Sequence, residues 1–180
     1  MAIGATIRTF DIQLSDMDRG VYEELSLRVA QHPSETDAYL VTRVLAYCLE
    51  FEESIAFAAA GVSNGEEPAV LVKDLTGLTT AWIEVGAPDA QRLHAGSKLA
   101  DRAAVYTHRD PQRLLASWSG KTIHRAEDIV VRSFDSKFVD AAAAELTRRN
   151  IMSLSVTEGQ LYLELNGASL ETQMQEHQIG

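Results

Sequence analysis

Alternation opens the chain. From Thr6 to Ser15, Phe10, Ile12 and Leu14 fall on one side and Asp11 and Gln13 on the other, the period-two pattern of a half-buried strand. Between Val21 and Gln31, Leu25 and Val29 stand four residues apart with Asp16 or Asp18 ahead as an N-cap, so a helix is expected there. Pro33 discourages its continuation, and Ser34 then serves as the N-cap of a second helix, with Asp37 in the third position. Val41, Val44, Leu45 and Cys48 share one face of that helix, which is expected to run to about Glu53. Ser54 to Ala60 reads as a short apolar strand. Gly61 to Pro68 reads as a loop turning at Asn64–Gly65.

Two further strands flank a turn near Thr76–Gly77. Gly86-Ala87-Pro88-Asp89 then starts a helix expected to reach about Arg102, and Ala103 to His108 follows as a buried strand. A polar connection from Arg109 to Lys121 holds a short helical piece, Leu114 to Trp118, and Ile129 to Arg132 is a brief strand. Phe134, Phe138 and Leu146 stripe a helix that closes with Arg148-Arg149-Asn150. Met152 to Thr157 and Gln160 to Leu165, joined by Glu158–Gly159, form a hairpin, and the polar last dozen residues are expected to fray. This order is mixed α/β, without the regular alternation of a doubly wound sheet.

Composition adds bounds. The 180 residues are 46% hydrophobic and 23% charged, with four prolines and eleven glycines, which fits one domain with no long linker. No apolar run has the length of a membrane span, and the start, MAIGATIRTFDIQLSD, lacks the basic-then-apolar order of a secretory signal. The lone Cys48 sits in an apolar helical pattern, so no disulfide framework exists and the cytoplasm is the expected compartment. A net charge of −10 works against nonspecific affinity for phosphate backbones, yet it leaves room for carboxylates that hold a metal.

The stretch Ala69 to His108 carries the candidate chemistry. Asp74 and Glu84 bracket the hairpin, a helix follows, and two carboxylates on neighbouring strands can hold a divalent cation. Glu84 lies within the apolar run Ala81-Trp82-Ile83-Glu84-Val85, where an unpaired carboxylate is costly. Asp74 beside a turn is also an ordinary turn acid. A tight turn at Thr76–Gly77 would put Glu84 opposite Ala69, roughly 17 Å along the strand from Asp74, and would make Glu67 the nearer acid. A turn centred nearer Thr79, or a bulge, would bring Asp74 and Glu84 together. The histidines do not group at zinc spacing, and neither GxGxxG, GxxxxGK[ST] nor GxSxG occurs.

The segments HPSET (His32 to Thr36), EP (Glu67–Pro68), KDLTG (Lys73 to Gly77), WIEVGAPD (Trp82 to Asp89) and VYTH (Val105 to His108) resemble those of the YaeQ family, and the likeness covers nearly the whole chain. That family is similar in fold to the PD-(D/E)XK, or restriction-endonuclease-like, superfamily. The resemblance implies an α/β fold with a mixed β-sheet flanked by helices, a nuclease-like core over about residues 34–108, and an added N-terminal strand and C-terminal hairpin. It also implies an Mg²⁺ or Mn²⁺ site with Asp74 as first acid and Glu84 as second, and Glu35 as the assisting helical acid. Such an ion offsets phosphodiester charge and acidifies its bound water, while a lysine supports the water or the transition state. That lysine normally follows the second acid by two residues, where this chain has Gly86. Some members move the basic group to the next helix, which here offers Gln91, His94 and Lys98 on one face with Arg92 beside them; Lys98 is the candidate. His32, beside Glu35, is a candidate supporting group.

Two functions follow as expectations. One is a metal-dependent nuclease or phosphodiesterase acting on nucleic acid, with Glu35 and Lys98 in catalytic roles. The other is a non-catalytic descendant of the fold that binds a protein or a nucleic acid. A basic rim from Arg43, Lys73, Arg92 and Lys98 would distinguish the first from the second. Oligomeric state is left open.

Overall fold

The computed structural model describes residues 4–58 and 67–180. The expected Asn64–Gly65 turn therefore lies outside the described residues. In chain order the elements begin with β1 (Thr6–Asp16), β2 (Val21–Gln31), α1 (Asp37–Leu49), β3 (Ile55–Phe57), β4 (Val70–Lys73) and β5 (Thr79–Val85). They continue with α2 (Ala90–Leu99), β6 (Arg102–Thr107), α3 (Pro111–Trp118), β7 (Val130–Ser133) and α4 (Ser136–Ala144). The chain closes with β8 (Arg149–Thr157), β9 (Gln160–Leu165), β10 (Ala168–Gln173) and β11 (Gln175–His177). Two compact units result: Met1–Val41 with Phe134–Met174, and Thr42–Ser133 with Gln175–Gly180.

The first unit holds a five-stranded sheet in the order β10-β9-β8-β1-β2. Here the helix expected over Val21 to Gln31 is replaced by strand β2, paired antiparallel with β1 from Thr6↔Gln31 to Asp16↔Val21. Leu25 and Val29 four apart satisfy both a helical period and a strand period; Leu27 between them, buried with Val29 and Gln31, decides for the strand. The aspartates expected to cap a helix instead tie turns. Asp16 accepts from the Arg19 backbone N–H at 3.2 Å and its Nε at 2.9 Å, and Asp18 accepts from the N–H groups of Glu158 (2.6 Å) and Gly159 (2.9 Å).

The β8–β9 hairpin is as expected, with Glu158 and Gly159 both at positive φ, the primed turn that suits the strand twist. Asn166 and Gly167 repeat that geometry and deliver β10, so the tail expected to fray instead forms β10 and, in the second unit, β11. Its polar residues suit edge strands. The expected helix over Phe134 to Asn150 ends at Ala144, because the chain must enter β8 at Arg149. Buried Asn150 secures that junction, accepting from Thr147 N–H and donating to the carbonyls of Thr9 and Thr147. One face of the sheet is apolar and buried (Phe10, Ile12, Leu14, Leu154, Leu161, Leu163, Leu165), while the alternate residues face water.

The second unit holds a six-stranded sheet in the order β11-β7-β6-β5-β4-β3. β3, β4 and β5 are antiparallel, and β5, β6 and β7 run parallel through the crossovers that carry α2 and α3. The fold is thus mixed α/β with two mixed sheets and, among the described residues, four α-helices. This corrects the expectation of a single central sheet extended by β1 and the C-terminal hairpin. β1 spends both edges within its own sheet, on β2 and β8, and so has none left for the core. The order α1-β3-β4-β5-α2-β6 occurs as expected.

Helix α1 starts two residues later than the sequence suggests: Thr36 Oγ1, not Ser34, accepts from a helical N–H, that of Tyr39 at 3.1 Å. Asp89 caps α2 through the Arg92 N–H, and Asp110 caps α3 with Pro111 in the first turn. A core of Trp82, Leu93, Val105, Leu114, Trp118 and Val131 fills one face of the second sheet. Trp118 Nε1 donates to the Pro88 carbonyl at 2.9 Å, satisfying its one polar atom. No helix among the described residues is long and apolar enough to cross a membrane.

Candidate functional site

The β4–β5 register decides which acids meet. Val70 pairs with Ile83, Leu71 with Trp82 and Val72 with Ala81, so Glu84 continues the ladder opposite Ala69. A bulge at Val72/Lys73 shifts the last pair to Lys73↔Thr79, and the chain reverses over Asp74 to Leu78. Asp74 is fixed in that reversal: its Oδ1 accepts from Thr76 N–H (2.8 Å), Thr76 Oγ1 (2.5 Å) and Leu78 N–H (3.1 Å), while Gly77 takes φ +87°. The Thr76 hydroxyl, helped by these N–H groups, holds the exposed Asp74 carboxyl below its ordinary range. Glu84 and Asp74 thus stand at opposite ends of the hairpin, roughly 17 Å apart at strand spacing, and are not brought together.

Glu84 is 3% exposed and shares its strand face with Trp82. Its Oε1 accepts from Trp82 Nε1 at 2.7 Å and from Arg92 Nε at 2.7 Å. A further Arg92 nitrogen donates to the Glu67 carbonyl, so one guanidinium joins α2, β5 and the irregular segment leading into β4. Burial pushes the Glu84 carboxyl above its ordinary value of 4.5; Arg92 and the two donors pull against that shift, and the Asp89 charge adds to it. Between 4.5 and the raised value the folded chain holds a proton that the unfolded chain has released, so this group's contribution to stability falls as pH rises through that window. Replacing Arg92 by Met removes the opposing charge, and the Glu84 side-chain carbon should then titrate at a higher pH by NMR. An unchanged midpoint would mean that Arg92 does not hold the carboxylate.

The cation at Glu84 is therefore Arg92. Lys98 is exposed in the last turn of α2, about 9 Å farther along the helix axis. His94 Nδ1 accepts from the His124 N–H at 3.0 Å. Glu35 is buried, but in the turn before α1: its N–H donates to the His32 carbonyl, and its own carbonyl accepts from Gln31 Nε2. It belongs to the first unit, whereas Asp74, Glu84 and Lys98 belong to the second. The His32 ring is used locally, with Ser34 Oγ at 2.7 Å and Ser34 N–H at 3.1 Å from Nδ1. Of the expected basic rim, Arg43 is buried with its guanidinium 5.2 Å over the Phe57 ring, and Arg92 is taken by Glu84. Only Lys73 and Lys98 of the four are exposed. Among the described residues no group of three or more His, Cys, Asp or Glu gathers as a metal would require.

On the opposite face of the second sheet stands a cluster that sequence reasoning missed. Tyr106 is aligned with Val85 and so points away from Glu84. Its hydroxyl donates to Glu50 Oε1 at 2.7 Å and accepts from Arg132 at 2.6 Å; Arg102 donates to Glu50 Oε2 at 2.7 Å. Arg102 also reaches Glu52 (3.1 Å) and Arg132 reaches Glu176 (3.4 Å). Burial, with Glu50 beside it, drives the Tyr106 phenol well above its ordinary range. A tyrosine inside the apolar run of β6 was the available signal, since a buried hydroxyl demands a partner.

Comparison with known proteins agrees with this fold. A family model described as YaeQ protein matches residues 1–174. The chain belongs to the YaeQ family. It is 27% identical over 178 residues to the YaeQ protein of Escherichia coli strain K12, covering 97% of this chain and 96% of the relative. The YaeQ protein of Salmonella typhi is 34% identical over 109 residues, covering 60% and 59% of the two chains. The crystal structure of YaeQ from Xanthomonas axonopodis pv. citri superposes with a TM-score of 0.87 at 30% identity, covering 98% and 99%. That from Pseudomonas syringae gives 0.86 at 27%, covering 98% of each. This YaeQ family member shares its fold with those two crystal structures over 98% of its length.

Proposed function

We propose that this YaeQ family member is a non-catalytic binding protein built on a PD-(D/E)XK-like frame, its strand acid converted from metal ligand to structural anchor. The observation that carries this reading is the Arg92–Glu84–Trp82 contact: the buried carboxylate already receives a cation and an indole N–H. Such a donor set is complementary to a carboxylate and repels Mg²⁺ or Mn²⁺. Asp74, the expected second ligand, serves its own turn at the other end of the hairpin. The residues present do not fit the ion. Burial of Arg43 removes a further cation that a phosphodiester substrate would use.

The metal-dependent hydrolase keeps one observation in its favour, a buried acid on β5 within the α1-β3-β4-β5-α2-β6 order. In that reading Asp74 and Glu84 bind Mg²⁺ or Mn²⁺, with Glu35 and Lys98 assisting on a nucleic-acid substrate. Calorimetric titration separates the two. The expected result is no saturable Mg²⁺ or Mn²⁺ binding at millimolar metal in wild type. Saturable binding that disappears in Glu84→Ala would overturn the proposal and restore the hydrolase.

A further inference from the structure

The outer face of the five-stranded sheet in the first unit has no covering element among the described residues, and its registers place every side chain on it. Reading across β2-β1-β8-β9-β10, one row is Glu24, Gln13, Ser153, Glu164 and Ser169. The row beside it is Tyr22, Ser15, Ser155, Tyr162 and Glu171. On the other side, Ser26, Asp11 and Ile151 are neighbours, and beyond them Arg28, Thr9 and Arg149 form a basic end row that lines neither of the two hollows described next. Three of these side chains are large, apolar or aromatic, and exposed: Tyr22 at 62%, Ile151 at 74% and Tyr162 at 49%.

Two hollows of about 480 and 540 Å³ run along this face and share Ser153 and Glu164. Asp11, Glu24, Glu164 and Glu171 line them, and among the described residues lining either hollow there is no lysine, arginine or histidine. Asp11 meets only the Ser26 hydroxyl, at 3.1 Å, and Glu24, Glu164 and Glu171 form no ion pair among the described residues. The acids and apolar groups interleave along a diagonal: Asp11, Ile151, Glu164, Tyr162, Glu171. Strand spacing and residue rise put Asp11 and Glu164 about 12 Å apart, and Glu164 and Glu171 about 8 Å apart. An extended chain covers those spans in two to four residues, at about 3.3 Å each.

We propose that this face binds an extended basic protein segment, its lysines or arginines on Asp11, Glu164 and Glu171 and its intervening apolar residues on Ile151 and Tyr162. Charge complementarity selects the partner. A phosphate backbone is repelled by the same four carboxylates, and a second copy seated over the two hollows would set those acids against its own, since Arg28 and Arg149 lie at the end of the face outside both. The surface extends the reading of the chain as a binding protein without depending on it, since a metal-binding hydrolase would leave it unchanged.

The probe is a dye-labelled nine-residue peptide, lysine and valine at alternate odd positions with serine between, so that in extended form both turn to one side, with the peptide carrying glutamate for lysine as control. Fluorescence anisotropy should show saturable binding of the lysine peptide alone, and amide shifts should fall on β1, β8, β9 and β10. Glu164→Lys should weaken binding at least tenfold, and Glu171→Lys should do the same if the first variant folds poorly. Asp101→Lys, exposed in the second unit and of equal net charge, should change it less than twofold. No saturable binding would overturn the proposal, as would equal losses in Glu164→Lys and Asp101→Lys, which would mean attraction to net charge alone. Sedimentation showing a wild-type dimer that Glu164→Lys dissociates would also overturn it, assigning the face to a second copy.

Discussion

Glu50→Ala should destabilise the second unit by about 3 kcal/mol, the lower end of the range for breaking a buried ion pair from one side. Glu50 is 6% exposed and gathers three groups: the Tyr106 hydroxyl, Arg102 and, at 3.7 Å, Arg132. Truncation removes the acceptor of the Tyr106 hydroxyl and the buried counter-charge of both guanidiniums, leaving Arg102 with Glu52 and Arg132 with Glu176, both exposed acids. The arginine side chains are 43% and 26% exposed, so water recovers part of their solvation, which sets the estimate at the lower end. Tyr106→Phe removes a hydroxyl whose two partners still face each other, and should cost less, about 1 kcal/mol. Both tryptophans, Trp82 and Trp118, lie in the second unit, so their fluorescence in a urea titration reads this loss directly. A shifted midpoint with unchanged slope is the expected result. A Glu50→Ala midpoint equal to wild type would mean that the cluster contributes no net stability.

The same cluster shows what a sequence hides. Its members are Glu50, Arg102, Tyr106 and Arg132, scattered over more than eighty positions, and only the parallel alignment of β6 with β7 stacks the last two. Short-range signals fared better. The Glu158–Gly159 turn and the Asp89 cap follow from local backbone chemistry and appear where expected. β2 is hidden because a spacing of four fits two periods, and β10 because polar residues on an edge strand look like a free tail. At the candidate site, Glu84 as a costly buried acid was legible from its apolar neighbours. Its partner was not. Lys98 and Arg92 differ by six positions on one helix, and the packing of α2 on β5, not the sequence pattern, sets which of them reaches the carboxylate. The distance between Asp74 and Glu84 turned on where the hairpin reverses, and Asp74 itself fixes that by bonding to Thr76 and Leu78.

Gly96→Ala tests that packing, and should destabilise the second unit by about 2–4 kcal/mol. A Cβ at this position would stand 2.3–2.5 Å from three atoms of the Trp82 indole, well inside any contact distance. Alanine gains about 1 kcal/mol of helix propensity over glycine, which opposes the loss. Overpacking of a filled core costs about 1–3 kcal/mol, and the ring cannot swing away freely. It is 4% exposed, packs with Leu93, Val105 and Trp118, and its Nε1 is committed to Glu84. Relief therefore requires either rotating the indole, which breaks a charge-assisted hydrogen bond worth about 1.5–3 kcal/mol, or lifting α2, which draws Arg92 off the same carboxylate. Both routes end at Glu84, so the midpoint loss should come with a further rise in the Glu84 pKa. Coupling to Trp82→Phe separates steric from propensity effects: the smaller ring should recover much of the Gly96→Ala loss, making the double variant more stable than additivity allows. Gly96→Ala with wild-type stability would place α2 farther from β5, and would part Arg92 from Glu84.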